Sequence, residues 1–153
     1  FHGGVLYQDE DESLKDISRC ETKTQKKFSL EQQKLINFGV VACKHLKSNG
    51  IALVTEFDGV SCLVGAGMGQ PNRLDSLHLL AGHRANQKDM DFKKMVLVSD
   101  AFFPFADSIE AADQYGIKFI VQPGGSIRDL EVIQKADELG MAMLFTGERH
   151  FRH

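Results

Sequence analysis

Several segments of this chain carry residue types suited to holding anions, flat rings or protons. Val64-Gly65-Ala66-Gly67-Met68-Gly69-Gln70-Pro71-Asn72-Arg73 follows a predicted strand and precedes a predicted helix, a place where backbone N–H groups can face an anion. It matches neither G-x-G-x-x-G nor the P-loop pattern, so it reads either as a tight turn or as an anion cradle. Arg73 favours the cradle, because a cation at a helix entrance gains nothing from the helix dipole and suits a bound phosphate. Ala101-Phe102-Phe103-Pro104-Phe105 groups three rings around a proline between a strand and a helix. The rings are either core or a rigid slot for a flat heterocycle, with Asp107 offering carboxylate oxygens to N–H donors. Pro123-Gly124-Gly125-Ser126 exposes unobstructed backbone N–H groups at a helix start, or is a plain turn. Lys44-His45 is either an acid–base pair or two solvated side chains at the end of a helix. Neither H-x-E nor P-C-x-x-C occurs, so zinc-activated water is not expected and no metal is required.

The elements that must position these residues follow from periodicity and punctuation. Gly3 to Leu6 read as strand, and residues 8–27, acidic first and basic later, as an exposed connector. Residues 1–28 therefore form an N-terminal strand and connector, and 29–153 the main unit. Ser29 with Gln32 is a capping-box pattern opening a helix whose apolar face includes Leu35, Phe38 and Ala42. Residues 51–57 and 60–64 are β-prone runs joined by Asp58-Gly59, a hairpin signal. A glycine-rich loop at 65–70 leads into a helix over 74–87. Strands at 95–98, 117–121 and 141–145 then alternate with helices at 107–115 and 126–139, the latter capped by Ser126, with Gly116 and Gly140 as stops. The order α-β-β-α-β-α-β-α-β predicts an α/β fold in which an antiparallel hairpin joins parallel strands. A mixed sheet with helices on both faces, a three-layer α-β-α, is the result. Ligands in such sheets sit beyond the C-terminal strand ends, where the glycine-rich loop, Ser99-Asp100 and Pro123 to Ser126 all fall. The tail Glu148-Arg149-His150-Phe151-Arg152-His153 follows the last strand and brings Arg149 to the same edge.

Bulk properties narrow the class. The 153 residues fit one compact domain, and 42% hydrophobic with 25% charged residues is ordinary for a globular protein. A net charge of −3 argues against nucleic acid as partner, and no apolar run is long enough for a membrane span. Cys20, Cys43 and Cys62 are odd in number and lack C-x-x-C spacing, which reads as reduced thiols in a cytoplasmic protein. The chain opens on Phe1 in the middle of apolar sequence, as though cut from something longer.

Five motifs then carry a specific resemblance. Lys47-Ser48-Asn49, Gly69-Gln70-Pro71-Asn72-Arg73, Ser99 through Asp107, Gln122 through Asp129, and Arg149 through His153 occur in that order. Together they resemble the second half of the aminoimidazole carboxamide ribonucleotide (AICAR) transformylase family, usually fused to an inosine monophosphate cyclohydrolase. The resemblance implies a cytidine-deaminase-like subdomain. It implies formyl transfer from 10-formyltetrahydrofolate to AICAR in purine (IMP) biosynthesis, with a preceding transformylase subdomain and a homodimer mate as partners. It also implies that Asn49, Arg73 and Arg149 contact the nucleotide, and that Leu74, Phe102, Asp107, Ser126 and Ile127 line the folate site. Two departures stand out. Ala106 replaces a basic residue usual before the motif's last Asp, which puts a local ion pair or part of the folate affinity in doubt. The family's catalytic Lys-His pair belongs to a K-H-x-S-P-A-G-like segment of the preceding subdomain, which this chain lacks. Lys44-His45 resembles it only as the equivalent position of the second subdomain, and no catalytic role transfers. The competing reading is a stand-alone nucleotide- or folate-binding module without catalysis of its own.

Overall fold

Alternating apolar side chains along a strand reach opposite faces of a sheet, so strands buried on both sides need helices on both. A computed structural model, which describes residues 3–5, 7–87 and 90–153, has this arrangement. Its strands are β1 (Glu21–Thr22), β2 (Ile51–Phe57), β3 (Val60–Gly67), β4 (Val96–Ser99), β5 (Phe119–Gln122) and β6 (Ala142–Phe145). Its helices are α1 (Leu30–Lys44), α2 (Arg73–Asp75), a π-helical turn (Ser76–Ala81), α3 (Gly82–Asn86), α4 (Asp107–Gln114) and α5 (Asp129–Glu138). One six-stranded sheet runs in the order β1-β6-β5-β4-β2-β3. The β2–β3 hairpin is antiparallel, β2 is antiparallel to β4, and β4, β5 and β6 are parallel, as expected for a mixed sheet.

The two faces have separate cores. Ile51, Leu53, Leu97, Ile120 and Met143 pack with Leu77, Ala81, Ile109 and Val132 on one side. Ala52, Val54, Val96, Val98, Val121 and Leu144 pack with Leu35, Ile36 and Val40 of α1 on the other. Helix α1 buries Gln32, Leu35, Ile36, Gly39, Val40 and Cys43, so its face lies to one side of the Leu35, Phe38 and Ala42 stripe expected from periodicity. Phe38 is left 37% exposed, because Gly39 lets Val54 and Val98 approach the helix backbone and sets which side turns inward. Ser29 stands at the N-cap, yet its hydroxyl contacts the Gln32 side chain and caps no backbone N–H.

Three expectations change. Residues 8–27 are more than a connector: β1 pairs antiparallel with β6, Ile17 and Thr24 are buried, and the Met143 N–H donates to Thr24 Oγ1 at 2.8 Å. Gly3 to Val5 lie outside any strand, and Leu6 lies outside the described residues. The first half of the glycine-rich stretch is strand, because β3 continues to Gly67. A Cβ on Gly65 would lie 2.2 Å from the Ala81 carbonyl oxygen, and one on Gly67 2.0 Å from that of Ser76. These two glycines let the π-helical turn lie directly on the strand, which is close packing and not a phosphate cradle.

The C-terminal ends of β3, β4, β5 and β6 and the start of β2 share one edge, since Ile51 pairs with both Ser99 and Gly67. Segments 48–50, 68–73, 100–107, 123–128 and 146–153 leave the sheet there.

Candidate functional site

Asp100, the residue after β4, is fully buried at that edge. Burying a carboxylate is costly unless it is paired and hydrogen-bonded. Here the Arg73 Nη2 donates to Asp100 Oδ1 at 2.7 Å, and the Ser48 hydroxyl donates to Oδ2 at 2.6 Å. Arg73 Nε donates to Ser99 Oγ at 3.1 Å, leaving the arginine side chain 12% exposed. The sequence reading gave Arg73 an anionic ligand as its counter-charge. The structure gives it an internal one, and Asn72 rather than a ligand caps α2, its Oδ1 accepting from the Asp75 N–H at 2.8 Å.

Asn49 lies beside this pair. Its side-chain amide donates to the Gln70 carbonyl at 2.9 Å and its main-chain carbonyl accepts from Ser76 Oγ at 2.5 Å, so the start of β2 is clamped to the loop before α2 and to the π-helical turn after it. Asn49, Arg73, Leu74 and Asp107 line one cleft of about 300 Å³, closed by Pro71, Asn72, Pro104, Phe105 and Ser108. Four of the eight binding residues nominated from the sequence thus meet in one place.

The aromatic loop divides its rings. Phe103 is core, 2% exposed, with its N–H donating to the side-chain oxygen of buried Gln122 at 2.9 Å. Phe102 is half-buried and lies outside the cleft lining, whereas Phe105 is 47% exposed and forms part of it. The Arg128 guanidinium sits 4.7 Å from the Phe105 ring centroid, a cation–π contact. Phe105 was missed because all three rings read alike in sequence; only the turn at Pro104 separates inward from outward.

At Pro123 to Ser126 two backbone N–H groups are already occupied. Those of Gly125 and Ser126 donate to the Asp129 carboxylate at 2.7 and 3.1 Å. Helix α5 starts at Asp129 with Arg128 at its N-cap, two residues after the expected cap Ser126, and Ser126 Oγ accepts from the Arg128 N–H at 3.1 Å. Ile127 is fully exposed and Ser126 half-buried, near Phe105 in the sense that Arg128 bridges the two loops.

The tail is held down. His150 is buried, its N–H donating to the Asp100 carbonyl at 2.9 Å and its Nδ1 lying 2.7 Å from Asp11 Oδ2. Among the described residues its Nε2 has no hydrogen-bond partner. The Ser48 N–H donates to the Arg152 carbonyl at 2.8 Å, and the Arg152 N–H returns to Ser48 Oγ at 3.2 Å. Arg149 itself is exposed, with its guanidinium over the Phe151 ring.

Lys44 and His45 line a different cavity, of about 440 Å³, between residues 8–11 and 151–153. Lys44 Nζ donates to the Ser13 carbonyl at 2.7 Å and lies 3.6 Å from Asp11, while His45 is the exposed C-cap of α1. Burial pushes the Asp11 carboxyl up, but hydrogen bonds from His150 and Ser13 and the charges of His150 and Lys44 outweigh it and hold the group below its ordinary value. Among the described residues no three His, Cys, Asp or Glu side chains are grouped to hold a metal ion, and no helix is long and apolar enough to cross a membrane.

Comparison with known proteins gives one consistent family. A profile described as "AICARFT/IMPCHase bienzyme" matches residues 1–84. The chain is 46% identical over 151 residues to the "Bifunctional purine biosynthesis protein PurH" of Lactobacillus delbrueckii subsp. bulgaricus, covering 99% of this chain and 28% of that protein. The proteins of the same name from Limosilactobacillus reuteri and Persephonella marina are 46% and 44% identical over the same shares. The chain therefore spans 28% of the length of these curated relatives.

Proposed function

We propose that this chain, which belongs to the AICARFT/IMPCHase bienzyme family, supplies the C-terminal half of a site for formyl transfer from 10-formyltetrahydrofolate to AICAR in purine biosynthesis. The observation that carries the reading is the cleft at the C-terminal strand edge, where Asn49, Arg73, Leu74 and Asp107 meet. We read the six-stranded mixed sheet as cytidine-deaminase-like, and take the preceding transformylase subdomain and a homodimer mate as its partners.

The chemistry asks two things of such a site. The amine of AICAR is a weak nucleophile, its lone pair delocalised into the ring and carboxamide. Its attack on the formyl carbon forms a C–N bond and a tetrahedral oxyanion. Collapse of that intermediate breaks the bond to the folate nitrogen, which takes up a proton. A base must remove the amine proton and a donor must stabilise the oxyanion. Holding the two substrates in register contributes separately, and can itself be worth several orders of magnitude. The residues of this chain suit that positioning role: Asn49, Arg73 and Arg149 toward the nucleotide, and Leu74, Phe102, Asp107, Ser126 and Ile127 toward the folate.

The Lys44-His45 geometry supports a non-catalytic role for the chain on its own. The Lys44 ammonium is engaged by Ser13 and Asp11, and both residues face a cavity other than the one Asn49 and Arg73 line. In the full-length gene product, Asp107→Ala is expected to raise the KM for 10-formyltetrahydrofolate about tenfold or more, the loss of a charge-assisted hydrogen bond, with the KM for AICAR nearly unchanged. An unchanged folate KM in a folded variant would remove Asp107 and its loop from the folate site.

A further inference from the structure

We infer that Asp100 is the positioning residue of the nucleotide side of this site, one buried carboxylate that fixes the three residues nominated to hold AICAR; the inference rests on the reading of Asn49, Arg73 and Arg149 given above. Each of the three is reached from Asp100 by a separate contact. Its Oδ1 takes Arg73 Nη2 at 2.7 Å, which sets the direction of the guanidinium. Its Oδ2 takes the Ser48 hydroxyl at 2.6 Å and its N–H donates to the Gly50 carbonyl at 3.2 Å, so the residues on both sides of Asn49 are tied to it. Its carbonyl takes the His150 N–H at 2.9 Å, which anchors the residue next to Arg149. Ser48 in turn binds the main chain of Arg152 in both directions, linking the second and third arms. Asp100 is 0% exposed, so it acts on ligand only through these neighbours.

A carboxylate is required because both of its oxygens accept. The isosteric amide has one oxygen for two donors, and its NH2 group must face either the guanidinium or the hydroxyl. Neutralising a cation and positioning it predict opposite outcomes. If Asp100 only cancelled the charge of Arg73, Asp100→Asn would leave an uncompensated cation and an anionic nucleotide would bind more tightly. If it positions Arg73 and Ser48, the same change weakens binding.

The test uses the full-length gene product, with AICAR and 10-formyltetrahydrofolate titrated separately and a melting curve for each variant. Asp100→Asn is expected to weaken AICAR binding tenfold or more, with folate affinity within about twofold, and no further AICAR loss when Arg73→Ala is added. Ser48→Ala keeps the ion pair and should fold even where Asp100→Asn does not; it is expected to weaken AICAR roughly three- to tenfold with folate unchanged. Unchanged or tighter AICAR binding in a folded Asp100→Asn protein, while Arg73→Ala weakens it, overturns the positioning role and leaves the proposed function intact. So does a Ser48→Ala protein with unchanged AICAR affinity, or one that loses both ligands equally as its melting temperature falls. If Arg73→Ala, Asn49→Ala and Arg149→Ala all leave AICAR affinity unchanged in folded protein, the reading of the site itself fails and this inference with it.

Discussion

Single residues at the sheet edge divide into those that hold the fold and those left facing the cleft, and the aromatic loop separates the two cleanly. Phe103 is packed among Ile109, Ile120 and Met143 and pinned through Gln122, whereas Phe105 stands at the cleft rim under Arg128. Truncating a buried ring leaves a cavity that its surroundings fill only in part. Phe103→Ala is therefore expected to lower stability by roughly 3–5 kcal/mol, and Phe105→Ala by no more than about 1 kcal/mol, as read from urea unfolding midpoints at unchanged slope. Equal losses for the two would mean that the loop packs as one unit. Of the cleft residues, Arg73 and Asp107 were legible from their own chemistry and Asn49 and Leu74 only through the family resemblance; all four line the one cleft. What stayed hidden was the counter-charge. Asp100 follows a buried strand, and nothing local marks an aspartate there as the partner of an arginine 27 positions earlier.

At the scale of elements, the strands and helices with strong periodicity were legible to within a few residues, and so was the parallel set β4, β5 and β6, because helices must cross between them. Two-residue β1 was not, since neither Glu21 nor Thr22 is buried and the buried residues on either side, Ile17 and Thr24, stand seven positions apart amid charges and show no period. Its segment matters to the site all the same. Residues 8–15 clasp the tail through Asp11 to His150, the Lys15 N–H to Glu148, and Gln8 to Phe151 and His153, and are tied to the end of α1 through Lys44 to Asp11 and Ser13. Asp11 sits below its ordinary value of 3.8 in the folded chain, so its contribution is fully present above that value and is lost as pH falls through the lowered one. Hydrogen-exchange protection of the His150 and Arg152 amides is expected to hold from neutral pH down to about the ordinary carboxylate range and to drop below it. Asp11→Asn should show reduced protection at neutral pH already, without the acid step. Equal protection in variant and parent at pH 7 would mean that the clasp does not depend on this carboxylate.

Taken whole, the molecule gathers polar and aromatic groups at one sheet edge, but its Lys-His pair belongs to another cavity and is partly consumed by Asp11 and Ser13. On the proposed reading, the described residues of the cleft would orient substrates, with Lys44 and His45 too far removed in another cavity to serve them as base and oxyanion donor. Loss of a general base or of an oxyanion donor each typically costs on the order of 10²-fold or more, and on that reading the two together would place turnover by the 153-residue chain below ordinary detection. The purified chain is therefore expected to show no measurable formyl transfer from 10-formyltetrahydrofolate to AICAR under conditions where the full-length gene product turns over readily. On the proposed reading weak AICAR binding is expected to persist, because Asn49, Arg73 and Arg149 make contacts internal to the chain, so calorimetric titration alongside the rate assay separates a folded, binding-competent half from an unfolded one. Adding the rest of the protein as a separate polypeptide should restore turnover if the two surfaces dock. Robust turnover by the chain alone, abolished by His45→Ala, would reverse the assignment and make Lys44 and His45 the catalysts.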